Sequence, residues 1–143
     1  GNDRTQVKAV YQGECDVAVG NTYYMGKMAT NTKDPVQKEW AQSVNIIFPN
    51  QNGRGAHVNV SGAAITKGAR NKANAIKLLE FLVGPEAQKI YAEVGHEFPI
   101  RGKVGLGKIV AKMSRFKMDA MPLRVLGENN AEAVRIFDRV GWR

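Results

Sequence analysis

Short apolar runs set between helical stretches constrain this chain more than any other feature. "DVAV", "VNIIFP" and "AHVNVSGAAITKG" have the length and β-branched content of strands, and each ends near Gly, Pro or Asn. The third is interrupted at Ser61-Gly62 and reads as one or two strands. Between these runs the hydrophobic period becomes that of a helix. Val7, Val10 and Tyr11 fall at i, i+3 and i+4 ahead of Gly13, and Asn21 or Thr22 stands where it can cap "YYMGKMAT". Asp34 and Pro35 open "DPVQKEWAQS" as cap and first helical residue. The strongest helix is "NKANAIKLLEFLV", with Asn71 as cap, Ala75, Leu78, Leu79 and Leu82 as apolar stripe, and Gly84 as stop. Pro85-Glu86 then starts "PEAQKIYAEV", and beyond Pro99 the pattern weakens to short helical pieces. "NNAEAVRIFDRVGW" closes as a helix, with Asn129 and Glu132 as a capping box and Ala133, Val134, Phe137 and Val140 as its stripe. Helices alternating with short strands predict an α/β layered fold.

The chemistry-bearing residues exclude several function classes. The 143 residues carry 21 basic and 13 acidic side chains, a formal net charge of +8. The basic residues are scattered, and their densest spread, Arg101 to Lys117, lacks the interleaved aromatics of a single-strand-binding groove. A solvated basic surface is expected, with no nucleic-acid partner. No apolar run approaches the roughly 20 residues that span a bilayer. The chain starts at Gly1, as a processed, truncated or tagged product does. Cys15, the only cysteine, lies between Glu14 and Asp16, which disfavour a thiolate, so a buried structural thiol is expected. "GLGK" lacks the spacing and hydroxyl of a phosphate loop. His57 reads as a structural residue on a strand and His96 as a solvated loop residue. Neither a Ser-His-Asp set nor a carboxylate pair can be assembled, so no enzyme is expected.

Tyr23 and Tyr24 remain. Two adjacent phenols at a strand-helix corner can be amphipathic aromatics with buried rings and wet hydroxyls. They can equally be hard anionic oxygen ligands for a trivalent ion such as Fe(III), which removes the phenol protons on coordination. At a helix start, consecutive side chains need not diverge by about 100° as they do within a helix. Asn21 is placed to orient a bound anion or a phenolate through its amide. The residues by themselves leave both readings open.

The segments "GECDVAVGNTYYMGKM", "FPNQNGRGAHVNVSGAAITKGARNKANAIKLLEFLVGPEAQKIYA" and "MPLRVLGENNAEAVRIFDRVGW" resemble the bacterial periplasmic ferric-ion-binding proteins. These are the substrate-binding components of iron ABC transporters. The resemblance covers essentially the whole chain. It implies an α/β, type II periplasmic-binding-protein-like fold of two lobes, related to a transferrin lobe and incomplete in this chain. By motif position it makes Tyr23 and Tyr24 the phenolate ligands of Fe(III), and Asn21 a contact to a synergistic anion such as carbonate or phosphate. It implies a periplasmic location and delivery of iron to an inner-membrane ABC permease. Members of that family are roughly twice this length, and this chain resembles their carboxyl-terminal half. The remaining ligands, typically another tyrosine with a histidine or carboxylate, are therefore expected elsewhere. Residues 1–45 and 103–143 are expected in the carboxyl-terminal lobe and residues 46–102 in the other. That middle segment is expected to expose a strand edge and an apolar face, and to pair with the missing amino-terminal half or a swapped copy. Two further readings are a binding protein of the same fold for an oxyanion or small organic anion, and a basic nucleic-acid-binding module.

Overall fold

α-Helices carry nearly all the regular structure in the computed structural model, which describes residues 2–113 and 115–142. Contacts divide the chain into two units. The first, Gly1–Ile47 with Asn59–Arg115, holds α1 (Asp3–Tyr11), α2 (Thr22–Ala29), α3 (Val36–Gln42), α4 (Lys72–Leu82) and α5 (Pro85–Ile90). A π-helical turn, Tyr91–Gly95, continues α5, and a 3-10 turn follows at Val110–Lys112. Helices α1, α2 and α3 pack on one another, α4 packs on α5, and the π-helical turn packs back against α2.

Local signals account for most of these boundaries. Asn2 opens α1 with a capping box. Its Oδ1 accepts the Thr5 N–H at 3.2 Å, and the Thr5 hydroxyl oxygen accepts the Asn2 N–H at 3.4 Å. Pro35 stands at the cap of α3 rather than inside it. The Asp34 carboxylate is taken by the buried Gln37 side-chain amide at 2.9 Å, so it does not cap the backbone. Asn71 stands at the cap position of α4 but its side chain makes no cap bond, while Gly84 follows the helix and Pro85 is the first residue of α5, as the sequence predicts. The α4 stripe is only partly covered: Ala75, Leu79 and Leu82 are half-buried, while Leu78 is exposed.

The core of this unit is small. Met28 and Val110 are fully buried, joined by Val7, Ala87 and Ala92. Gly107 lets backbone approach backbone there, since a Cβ would sit 2.2 Å from the Ala92 carbonyl oxygen. His96, expected in solvent, is instead buried, and it ends the π-helical turn in the left-handed region (φ 59°). Its ring lies on α2 where Gly26 leaves room, and a Cβ at Gly26 would meet the ring at 2.4 Å. The Thr30 hydroxyl donates to the Gly26 carbonyl at 2.9 Å and lies 3.2 Å from His96 Nε2. With that hydrogen already used, Nε2 is the donor, and the buried Nδ1 has no partner. Burial, and next the positive charge of Lys27, push the His96 pKa down.

The second unit, Phe48–Val58 with Phe116–Arg143, holds α6 (Leu123–Glu128) and α7 (Asn130–Val140). One parallel bridge joins Ala56 to Met118: the Ala56 N–H donates to the Lys117 carbonyl at 2.9 Å and the Asp119 N–H to Ala56 at 2.8 Å. The rings of Phe48 and Phe116 stack beside it at 4.0 Å. The capping box expected at Asn129 and Glu132 does not form. The Asn129 amide donates to the Val125 carbonyl at 2.8 Å, and Glu132 pairs with Arg135 at 2.6 Å. No residue of α6 or α7 is buried, so the stripe of Val134, Phe137 and Val140 is exposed.

The expected strands are corrected too. Among the described residues no ladder forms, and the Ala56–Met118 bridge stands alone. "DVAV" and "VNIIFP" form no regular element, with Val17, Val19 and Ile47 each about three-quarters exposed or more. A strand's N–H and C=O groups need a neighbouring strand, and a lone extended segment cannot supply one. For the same reason His57 is exposed rather than packed on a strand, while Cys15 is half-buried.

Replacing Gly26 by Ala pushes the His96 ring off α2 and is expected to lower stability by about 1–3 kcal/mol in urea unfolding. A second His96→Ala change then adds less than it does in the wild-type background. The His96 pKa is lower folded than unfolded, so its contribution is intact above the unfolded value of 6.5. It declines as pH falls through the folded value. A His96→Gln variant flattens that acid limb of the urea midpoint against pH.

Candidate functional site

The chain enters α2 through an extended residue, Asn21 (φ −86°, ψ 138°), which occupies the cap position without capping the helix by its own side chain. Its carbonyl accepts the Tyr24 N–H at 3.2 Å, the first bond of the turn. The cap acceptor comes from α1. Asp3 Oδ2 accepts the Asn21 backbone N–H at 2.7 Å and its side-chain amide at 3.1 Å. Asn21 Oδ1 in turn accepts from the Asn59 amide at 3.4 Å.

That entry sets Tyr23 and Tyr24 on the first turn of α2, both half-buried. Their ring centroids are 4.2 Å apart with planes inclined at 32°. The adjacent phenols thus converge, where a regular helix separates neighbours by about 100°. Hydrogen bonding with the Tyr24 side chain is the first cause that pushes the Tyr23 pKa up to about 12. Partial burial and the negative potentials of Tyr24, Asp3 and Glu97 act in the same direction.

Cations flank the rings. Lys27 Nζ lies 4.6 Å from the Tyr23 centroid and 5.7 Å from that of Tyr24, and the Arg4 guanidinium lies 5.9 Å from Tyr24. Such positions attract a cation to the ring face.

Among the described residues no group of three or more His, Cys, Asp and Glu side chains could hold a metal ion, so any metal site here rests on the phenols. A ligand can take the pair as neutral hydrogen-bond donors. Otherwise it must be a Lewis acid strong enough to displace protons from oxygens that hold them tightly. The structure brings Asn21, Tyr23 and Tyr24 together at one helix start. Asp3, Arg4, Lys27 and Glu97 surround them and were not anticipated. Lys27 had a readable signal, since it follows Tyr24 by three positions and Tyr23 by four on one helix. The other three arrive from elsewhere in the chain with no local pattern.

Comparison with known proteins places the chain in a family. Residues 6–118 match the family described as "Bacterial extracellular solute-binding protein". Iron uptake protein A1 of Synechocystis is 45% identical over 143 residues, which is 100% of this chain and 39% of that protein. The ferric binding protein from Campylobacter jejuni superposes with a TM-score of 0.94 at 45% identity, over 100% of this chain and 45% of that one. A Trichodesmium protein solved in complex with iron and citrate ligands gives 0.93 at 44% identity, over 100% and 45%. The chain therefore spans less than half the length of these relatives. What it holds is an incomplete part of their α/β, type II periplasmic-binding-protein-like fold. With the match running through α1, the tyrosine-bearing α2 and on to the Ala56–Met118 bridge, the chain belongs to the bacterial extracellular solute-binding protein family.

Proposed function

We propose that Tyr23 and Tyr24 bind Fe(III) as phenolates, and that this chain carries part of the site of a protein that captures ferric ion for uptake through an ABC-type permease. The observation that carries this reading is the convergence of two adjacent phenols, 4.2 Å between ring centroids, in a chain 45% identical to a ferric binding protein and to an iron uptake protein. Fe(III) is the cargo. Its affinity for hard anionic oxygen offsets the cost of deprotonating Tyr23. The mechanism is binding and release rather than catalysis.

Two phenolates leave a ferric ion with net positive charge and an unfilled shell. The remaining ligands come, on this reading, from the missing amino-terminal half of the same protein or from a swapped copy. On this reading residues 1–45 and 103–143 fall in the carboxyl-terminal lobe of the intact protein and residues 46–102 in the other, although in this chain α4 and α5 group with α1 to α3, and closure of the lobes over the ion completes the site. Exposed Val60, Leu78 and Phe81 in the middle segment support a covering partner. Asn21 has a second amide hydrogen beyond the one held by Asp3, and offers it to a synergistic anion such as carbonate or phosphate. The iron and citrate bound in the Trichodesmium relative support an anionic co-ligand. The periplasm is the location that fits this role.

A second reading, an oxyanion or small organic anion held by neutral phenols, is favoured only by Lys27 and Arg4 beside the rings. Fe(III) titration followed by visible absorption separates the two. In the intact protein containing this chain, a tyrosinate-to-iron charge-transfer band is expected, and it falls sharply in Tyr23→Phe and in Tyr24→Phe. An unchanged band and affinity in both variants rules out the phenolate reading. The isolated chain is expected to bind Fe(III) far more weakly than the intact protein, and equal affinities would show that no outside ligands are needed. Because Tyr23 holds its proton up to about 12, iron loading releases protons in unbuffered solution at neutral pH.

A further inference from the structure

Four structural facts meet at Asp3. It lies in the first turn of α1, where a negative charge is favoured by that helix's dipole. Its carboxylate also stands at the start of α2, accepting both the backbone N–H and the side-chain amide of Asn21, at 2.7 and 3.1 Å. Asn21 accepts the Tyr24 N–H through its carbonyl, so the orientation of the Asn21 peptide fixes where the tyrosine turn begins. Finally, Gly20 has no side chain where the carboxylate passes, and a Cβ there would lie 3.2 Å from Asp3 Oδ2.

We infer that Asp3 is a positioning residue for the tyrosine pair: it ties α1 to the start of α2 and holds Tyr23 and Tyr24 in the convergent arrangement that a bound ion needs. The inference rests on the phenolate reading. Asp3 does not touch the phenol rings. It acts through the Asn21 peptide, as the outer partners of metal ligands do when they fix ligand orientation. Two helix starts converge on one carboxylate, so losing that acceptor leaves the Asn21 N–H without its partner at the turn. The acceptor geometry, more than the charge, is what positions the pair. An asparagine at this place retains one acceptor oxygen for the backbone N–H.

The test uses the intact protein containing this chain, loaded with Fe(III), with Tyr23→Phe as the control that locates the charge-transfer band. Asp3→Ala is expected to lower iron affinity about ten- to a hundred-fold and to reduce the band intensity per bound iron, with far-ultraviolet circular dichroism unchanged. Asp3→Asn restores most of both. Gly20→Ala keeps the carboxylate but crowds it. It shows the same loss in milder form, and it stands in for Asp3→Ala if that variant does not fold. Wild-type affinity and band in Asp3→Ala, or in Gly20→Ala when it stands in, overturn the inference. So does equal loss in Asp3→Ala and Asp3→Asn, because charge would then matter and geometry would not. Absence of the band from the wild-type protein removes the phenolate reading itself and is told apart from either result.

Discussion

The carboxylate of Asp3, shared between the starts of two helices, is the contact on which the site's geometry depends. The Asn21 N–H, its side-chain amide and the direction of the first turn of α2 all refer to that one acceptor. The close approach of the Tyr23 and Tyr24 rings, and the reach of Lys27 over both, follow from where that turn begins. From the other side α2 is held by His96, whose buried ring occupies the space left by Gly26. The tyrosine-bearing helix is thus fixed at its start by an ionised acceptor and further along by a packed ring.

The electrostatics of the pair suit tight capture of a cation with controlled release. The Tyr24 side chain first, then partial burial and the charges of Asp3 and Glu97, raise the proton affinity of Tyr23. On the proposed reading, a ferric ion displaces the phenol protons because its charge acts at bonding distance, while the carboxylates act from further away. Lys27 is set against the ring faces of both phenols. On the proposed reading, protonation of the phenols or reduction of the iron to a softer ion reverses the exchange.

What could be read in the sequence was what depends on neighbours along the chain. Helices α1, α4, α5 and α7 follow from apolar spacing with Gly and Pro punctuation, and the adjacency of Tyr23 and Tyr24 is what points to the proposed site. What depends on distant partners was not readable. The runs containing Val17, Val19 and Ile47 have strand composition but form no ladder among the described residues, and composition alone does not supply the neighbouring strand a ladder needs. The cap roles expected of Asp34 and Asn129 failed for a related reason, since side-chain and carbonyl groups competed for the same atoms. Asp3 and His96 reach α2 across 18 and 66 residues, and neither carries a local signature.

The exposed stripe of α7 and the apolar runs that form no regular element belong with a chain that spans less than half of its relatives. The proposed division of labour puts two phenolates here and the other ligands outside this chain. The most direct measurement is an anomalous-difference electron-density map, collected at the iron edge, from crystals of the intact ferric-loaded protein. The account predicts one peak bonded to the phenol oxygens of both Tyr23 and Tyr24, with its remaining ligands from outside this chain. A peak bonded to neither tyrosine, or a shell completed wholly by residues of this chain, would contradict it.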